Sequence, residues 1–452
     1  MATQTYWDIE GGVRLSGVVQ VRGGKNSAPK HVVAALLTEE PCILSNVPRV
    51  GDVAWALDVC RALGSEVEWL DDHTVRLHTP RIVTAELANT YGGSSRLPVL
   101  LLGPLLARTG EARVPHGGGC QIGARPVDYH VDGMRRLGAE LVMTDGHLAA
   151  RTRRLRGGVI DLPYPSVGAT ETLLLGAVLA EGATVLKGVA LEPEVLELIC
   201  LLHQMGAQIR FEADRTLRIQ GVERLRGCTF RCLPDRNECA SWACAAIATD
   251  GDVTVKGADQ HALLSLLDRL REIGGEYEIL PDGMRFFRGS PKLRGTTVDT
   301  HYHPGFMSDW QPQLAVALTQ AQGQSIIHET VYEDRFRYVQ GLIDMGAQIK
   351  VRTECLGAEA CRFQNAGRNH SCVIHGPTPL RATQLTMPDL RGGFAYALAA
   401  MLADGATRLF GVDHIARGYA EFTQKAADLG VKLTSGVLAA AADDTVRLAR
   451  RA

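Results

Sequence analysis

The densest chemical signal in this chain is a thiol set among glycines and followed by an arginine, Gly117-Gly118-Gly119-Cys120-Gln121-Ile122-Gly123-Ala124-Arg125. Glycine lets the backbone take positive φ and lie close to a ligand. A nearby cation lowers a cysteine's pKa, and the thiolate is the reactive species. The segment fits a mobile loop carrying a poised thiol beside an anion-binding arginine. It fits equally a glycine-rich turn whose cysteine is incidental. Cys60 and Cys244, in apolar runs, read as packing residues instead.

Cationic side chains recur beside glycines and helix starts: Lys25 in GGKN, Arg96, Arg125, Arg335 in VYEDRFRYV, Arg391 in MPDLRGGF and Arg417 in HIARGY. Each alone reads as a solvated surface residue. Placed at equivalent points of repeated units, the set would line one cavity with fixed positive charge. Its substrates would then carry several negative charges, because the planar guanidinium fork suits carboxylates and phosphates. Ser166 and Thr170 stand at the start of the apolar helix ETLLLGAVLA, as ordinary caps or as a phosphate cradle of backbone N–H groups. Asp309 in SDWQPQ and Asp389 in MPDLRGG each precede a helix; each is a cap or a general base for a substrate hydroxyl.

Other patterns carry less. Cys355, Cys361, Cys372, His370 and His375 crowd one segment, but their spacing matches no common zinc pattern, and the segment reads as an elaborated loop. His301 and His303 are weak as ligands. No Walker-type loop or dinucleotide fingerprint is present, which argues against nucleoside triphosphate hydrolysis and hydride transfer. A formal net charge of −2 argues against a nucleic-acid surface. The first residues lack a secretory signal pattern, and the longest apolar run, around Leu97 to Ala107, is interrupted by prolines and too short for a bilayer. Eleven cysteines, an odd number, point to reduced thiols in a cytoplasm. Nothing specifies an oligomeric state.

The elements that must position these residues follow from an internal repeat. A helix-ending glycine followed by a β-prone run recurs at Gly64, Gly138, Gly206, Gly274, Gly346 and Gly430. Between these markers lie short helices that are apolar nearly all round, each leading into a strand, such as LLLGAVLAEGATVLKGV and YALAAMLADGATRLFGV. Each repeat thus reads as strand, helix, strand, helix, strand, strand. The expectation is an α/β (α+β) fold of six such units in two domains of three, with the apolar helices central, sheets outside them and a ligand cleft between the domains. The domains are expected at 24–233 and at 1–23 plus 234–452, with the proline of CLPDR at the junction.

With these residues assembled, the chain resembles the enolpyruvyl transferases, most closely the branch acting on UDP-N-acetylglucosamine. The likeness runs from about residue 13 to residue 435. It is carried by GGKN at 23–26, CQIGARPVD at 120–128, SVGAT at 166–170, LPDR at 233–236, DWQPQ at 309–313, ETVYEDRF at 329–336, DLRGG at 389–393 and ARGY at 416–419. The family's inside-out arrangement of two domains agrees with the repeat count. The resemblance implies transfer of the enolpyruvyl group of phosphoenolpyruvate to the sugar 3-hydroxyl with release of phosphate, the committed step of peptidoglycan synthesis, without metal or other cofactor. It implies Cys120 as general acid on the enolpyruvyl methylene, open to alkylation by an epoxide such as fosfomycin, and Asp309 as base. Lys25, Arg125 and Arg417 would hold the phosphate and Arg335 and Arg391 the carboxylate, with Arg96, Asp389 and Asp235 in support. Asn26 would meet the acetamido group. Arg125, Pro126, Val127, Asp128 and Tyr129 would lie on the uracil side, Ser166, Val167 and Gly168 at the diphosphate, and Val331 at the sugar.

The chain departs from the family pattern at three places. Tyr164 stands where some members place a lysine near the diphosphate, Arg96 is followed by Leu-Pro rather than Ala-Ser, and an insertion occupies 353–378. These touch the acceptor side more than the chemistry. Two alternatives therefore stand beside the main reading: transfer to another acceptor such as UMP in nucleoside-antibiotic assembly, and a non-catalytic paralogue that senses the sugar nucleotide. Shikimate-3-phosphate is a poorer acceptor candidate because enzymes using it lack the cysteine loop.

Overall fold

The computed structural model describes residues 3–93, 95–118, 122–124, 126–144, 146–358 and 361–439. The chain divides into two compact units. One comprises Met1–Val21, Asn237–His301 and Phe306–Ala452; the other comprises Arg22–Arg236 and Tyr302–Gly305. Each is built by the same rule.

In the unit formed by Arg22–Arg236, the strands Val159–Asp161 and Ala183–Lys187 pair parallel across the helix Val167–Ala177. The antiparallel strands Thr216–Gln220 and Gln208–Glu212 then complete that sheet. A second sheet repeats the order, but its leading strand, Thr229–Arg231, comes from the far end of the unit to pair parallel with Cys42–Ser45. A third sheet, Glu111–Pro115 with His147–Arg151 and Glu140–Thr144, is antiparallel.

The other unit borrows in the same way from the N-terminus. Ser16–Gln20 pairs parallel with Asp252–Lys256, and Thr3–Glu10 closes the sheet of Ala406–Phe410 and Leu433–Ala439. Its third sheet pairs Thr297–Asp299 parallel with Ala321–His328, followed by Ser371–Gly376 and Gln348–Arg352. All six repeat-marking glycines have positive φ, between 89° and 108°, so each supplies the left-handed residue that ends a helix without a Cβ penalty.

The first helix of each repeat lies inside its unit. Every residue of Gln311–Leu318 is buried, as are Leu390 to Met401 of the helix Leu390–Leu402 and Ala169 to Ala177 of Val167–Ala177. A helix buried on all sides has no polar face on which to carry function, so its polar groups gather at its ends. Residues Tyr302–Gly305 join the unit of Arg22–Arg236 for a local reason: the His303 N–H donates to Glu192 and Arg215 donates to the His303 carbonyl. The Arg215 guanidinium also lies 4.6 Å over the Tyr302 ring. Among the described residues no helix is long and apolar enough to cross a membrane.

Candidate active site

Within the larger-numbered unit, the sequence-selected residues collect at the N-terminal ends of two buried helices. Asp389 caps Leu390–Leu402, its Oδ1 accepting from the N–H groups of Arg391 at 2.9 Å and Gly392 at 3.1 Å. The same carboxylate accepts from Arg335 Nη1 at 3.3 and 3.4 Å, so one aspartate both ends the helix and fixes a buried guanidinium. Arg391 in turn donates from Nε to Asp309 Oδ2 at 3.2 Å. The Arg391, Arg335 and Asp389 side chains are buried, whereas Asp309 retains 22% exposure, so of the two carboxylates in this network Asp309 is the one that reaches solvent and the candidate base. The Arg391 guanidinium carbon lies 5.3 Å from the Tyr419 ring, and Gln313 donates to both the Arg391 carbonyl and the Tyr419 hydroxyl.

Glu329 is a hub that the sequence reading did not single out, though it opens the ETVYEDRF motif. Its carboxylate is fully buried and accepts from Ser308 Oγ, Gln311 Nε2 and the N–H groups of Val331 and Tyr332. It thereby ties the turn before Asp309 to the segment bearing Val331 and Arg335. Arg417 ends the short helix Asp413–Ala416, close enough to His414 to add to the burial that lowers that imidazole's pKa.

The second group lies in the unit of Arg22–Arg236. Asp235 is buried and accepts from the Lys25 N–H at 3.0 Å, while Lys25 Nζ meets Asp52 at 2.9 Å. Asp52, in the first turn of the helix Gly51–Ala62, was not selected from sequence; an acidic residue in a first helical turn is too common to signal a role. Asn26 is half-buried, and its carbonyl accepts from Lys30, which also meets the buried Glu171 at 2.9 Å. Arg96 donates to the Pro126 carbonyl at 3.1 Å, and Leu97–Leu101 after it is a 3-10 turn with Pro98 near its start. Arg96, Pro115, His116 and Val127 line a small hollow next to Gly117.

Ser166 caps Val167–Ala177, accepting from the Ala169 N–H at 3.3 Å. Thr170 is turned inward and accepts from the Ala190 N–H. Gly168 lies against His130, where an added Cβ would stand 3.0 Å from the ring, and His130 pairs with Thr172 at 2.8 Å. These contacts join Val167–Ala177 to Asp128–Arg136, the helix that Asp128 and Tyr129 begin. Burial, with a smaller contribution from Arg96, lowers the His130 pKa to about 3, so it is a neutral ring at neutral pH. Tyr164 meets Tyr302 edge-on at 5.8 Å. Cys120 and Arg125 lie outside the described residues.

Comparison with known proteins places this geometry. The family model described as EPSP synthase (3-phosphoshikimate 1-carboxyvinyltransferase) matches residues 9–426. The chain belongs to this enolpyruvyl transferase family. It is 42% identical over 435 residues to a UDP-N-acetylglucosamine 1-carboxyvinyltransferase of Protochlamydia amoebophila, covering 94% of this chain and 93% of the relative. It is 44% identical over 431 residues to the protein of the same name from Chlamydia abortus, covering 94% and 97%. Among solved structures, the enolpyruvyl transferase NikO from Streptomyces tendae matches with a TM-score of 0.86 at 27% identity, over 97% of this chain and all of that one. The family assignment and the two-domain α/β fold expected from the repeats agree with these matches.

The Cys/His-rich segment is a long loop running into a strand. Cys372 and His375 lie in the strand Ser371–Gly376, where Cys372 is buried and His375 exposed. Cys355, Cys361 and His370 instead converge, and His328, from another strand, joins them.

Proposed function

We propose that this enolpyruvyl transferase moves the enolpyruvyl group of phosphoenolpyruvate to the 3-hydroxyl of UDP-N-acetylglucosamine and releases phosphate. The acceptor follows that of the named relatives that match nearly end to end, and the catalytic assignment rests above all on Asp309, a partly exposed carboxylate oriented by Arg391. In this reading Asp309 takes the hydroxyl proton as the sugar oxygen bonds to the enolpyruvyl carbon, while Cys120 delivers a proton to the methylene. The phosphate-bearing intermediate then loses phosphate, and a proton leaves the new methyl group to restore the double bond.

Positive charge develops on the enolpyruvyl carbon between two anions. Fixed guanidinium and ammonium groups hold those anions without reorganising during the reaction. Lys25, Arg125 and Arg417 are assigned to the phosphate, Arg335 and Arg391 to the carboxylate, with Arg96, Asp389 and Asp235 holding them in place. Asn26, Pro126, Val127, Asp128, Tyr129, Ser166, Val167, Gly168 and Val331 are assigned to the sugar nucleotide. The domain limits 24–233 and 234–452 with 1–23, and a cytoplasmic location, are part of the same reading.

The test is phosphate release from phosphoenolpyruvate with UDP-N-acetylglucosamine, UMP or shikimate-3-phosphate supplied separately. Turnover with the first alone supports the assignment. Turnover with UMP alone keeps the chemistry and changes the acceptor. Silence with all three, in folded protein, removes the catalytic reading.

A further inference from the structure

Between the strands Gln348–Arg352 and Ser371–Gly376 the chain makes a long excursion that the active site does not use. Cys361 follows Cys355 by six residues and His370 follows it by fifteen, and the fold returns all three to the end of the strand Ala321–His328. The ligand atoms of Cys355, Cys361, His370 and His328 all lie within 4.8 Å of one another. Cys355 Sγ is 3.7 Å from Cys361 Sγ and 3.3 Å from His370 Nε2. A zinc ion with Zn–S of about 2.3 Å and Zn–N of about 2.0–2.1 Å sets tetrahedral edges of about 3.8 Å between sulfurs and about 3.6 Å between sulfur and nitrogen. The observed separations are close to those edges and far from a disulfide's ~2.05 Å.

The surroundings engage the Nδ1 of each ring and leave Nε2 for another contact. His328 is fully buried; its Nδ1 pairs with Asp299 Oδ1 at 2.7 Å, and its Nε2 is buried with no hydrogen-bond partner among the described residues. An unmatched buried ring nitrogen is costly unless something accepts its lone pair. His370, also fully buried, uses Nδ1 on the Arg368 carbonyl at 2.7 Å, which leaves Nε2 facing Cys355. Metal-bound histidines ordinarily make such second contacts, to a carboxylate or a carbonyl, through the other nitrogen. Asp299 also holds the loop, its Oδ2 accepting from the Ala358 N–H at 3.1 Å. Gly357 makes that approach possible: a Cβ there would stand 1.5 Å from Asp299 Oδ1.

We propose that Cys355, Cys361, His328 and His370 form a tetrahedral Cys2His2 site for a zinc-class divalent metal. Two thiolates and two neutral imidazoles with no open position are the donor set of a structural zinc, not of a calcium or magnesium site. The ion would pin the excursion to the end of the strand Ala321–His328, immediately before Glu329. Arg362, within the excursion, donates to the Val331 carbonyl, so the pinned loop also supports the segment leading to Arg335.

The test uses the full-length protein purified under reducing conditions without chelators. Elemental analysis is expected to give one zinc per chain, and the double variant C355S/C361S to fall to background, while C200S, at an exposed cysteine, keeps its metal. Cobalt(II) added to stripped wild-type protein is expected to give the visible bands of a tetrahedral site and near-ultraviolet thiolate charge transfer, lost in the double variant. D299N retains the four ligands and is expected to weaken binding about 10–100-fold in competition with a chelating indicator, which decides the matter should the double variant fail to fold. Wild-type protein that binds neither zinc nor cobalt, a cobalt spectrum without thiolate character, or a Cys355–Cys361 disulfide in unreduced protein without metal overturns the proposal.

Discussion

Asp309 and Cys120 ask different questions of the same chemistry. Asp309 keeps solvent access while Arg391 fixes one of its oxygens, so its replacement removes a base without emptying a core position. D309N is expected to lower kcat by about 10²–10⁴-fold and to cost less stability than D389A, because the amide oxygen can still accept from Arg391 Nε, measured by phosphate release and thermal melting. Asp389 differs because its carboxylate serves a helix end and Arg335 together. D389A is expected to cost both activity and roughly 2–4 kcal/mol of stability, since it removes a cap and leaves a buried guanidinium without its carboxylate. For Cys120 the expected outcome is a single covalent adduct with fosfomycin, located by peptide mass spectrometry; an unmodified Cys120 peptide would sink its assignment as the reactive thiol. Asp309 and Asp389 were legible in the sequence because each sits in a short motif just before a helix. Glu329 and Asp52 were not, because what marks them is burial and partners brought from elsewhere in the chain.

At the scale of elements, the repeat carried most of the fold. A glycine ending a helix and an apolar run before a strand are local signals, and local signals survive in sequence. Which strand leads each sheet is not local: Thr229–Arg231 and Ser16–Gln20 reach their parallel partners from distant parts of the chain. The convergence of Cys355, Cys361 and His370 with His328 was hidden for the same reason, since His328 belongs to an earlier strand and no spacing pattern includes it. The helix Val167–Ala177 offers a clean test of an element end. Ser166 caps it and is also assigned to the diphosphate. S166A is expected to lose about 1 kcal/mol of stability and to raise KM for the sugar nucleotide several-fold with kcat little changed. A stability loss with unaltered KM would leave Ser166 as a cap alone.

At the scale of the whole molecule, burial of titratable groups sets how stability varies with pH. His31 is fully buried, and burial lowers its pKa from 6.5 to about 3; His130 is lowered to about 3 as well. Glu197 lies 3.9 Å from His31, yet burial raises its pKa from 4.5 to about 8. The pair is therefore a contact between two neutral groups at neutral pH, not an ion pair. The two kinds of group act with opposite sign. Between about 6.5 and 3 the unfolded chain binds protons that His31 and His130 refuse in the folded state, so falling pH drains stability. Between about 4.5 and 8 the folded state retains the Glu197 proton that the unfolded chain releases, so rising pH drains stability. Above pH 6.5 the second effect acts without the first. E197Q keeps an acceptor for the Leu233 N–H and removes the titration. Relative to wild type it is expected to be near neutral at pH 5 and stabilised by about 2–4 kcal/mol at pH 8.5, measured by urea denaturation across the range. A wild-type to E197Q difference that stays constant from pH 5 to 8.5 would mean that Glu197 is already ionised in the folded protein at pH 5.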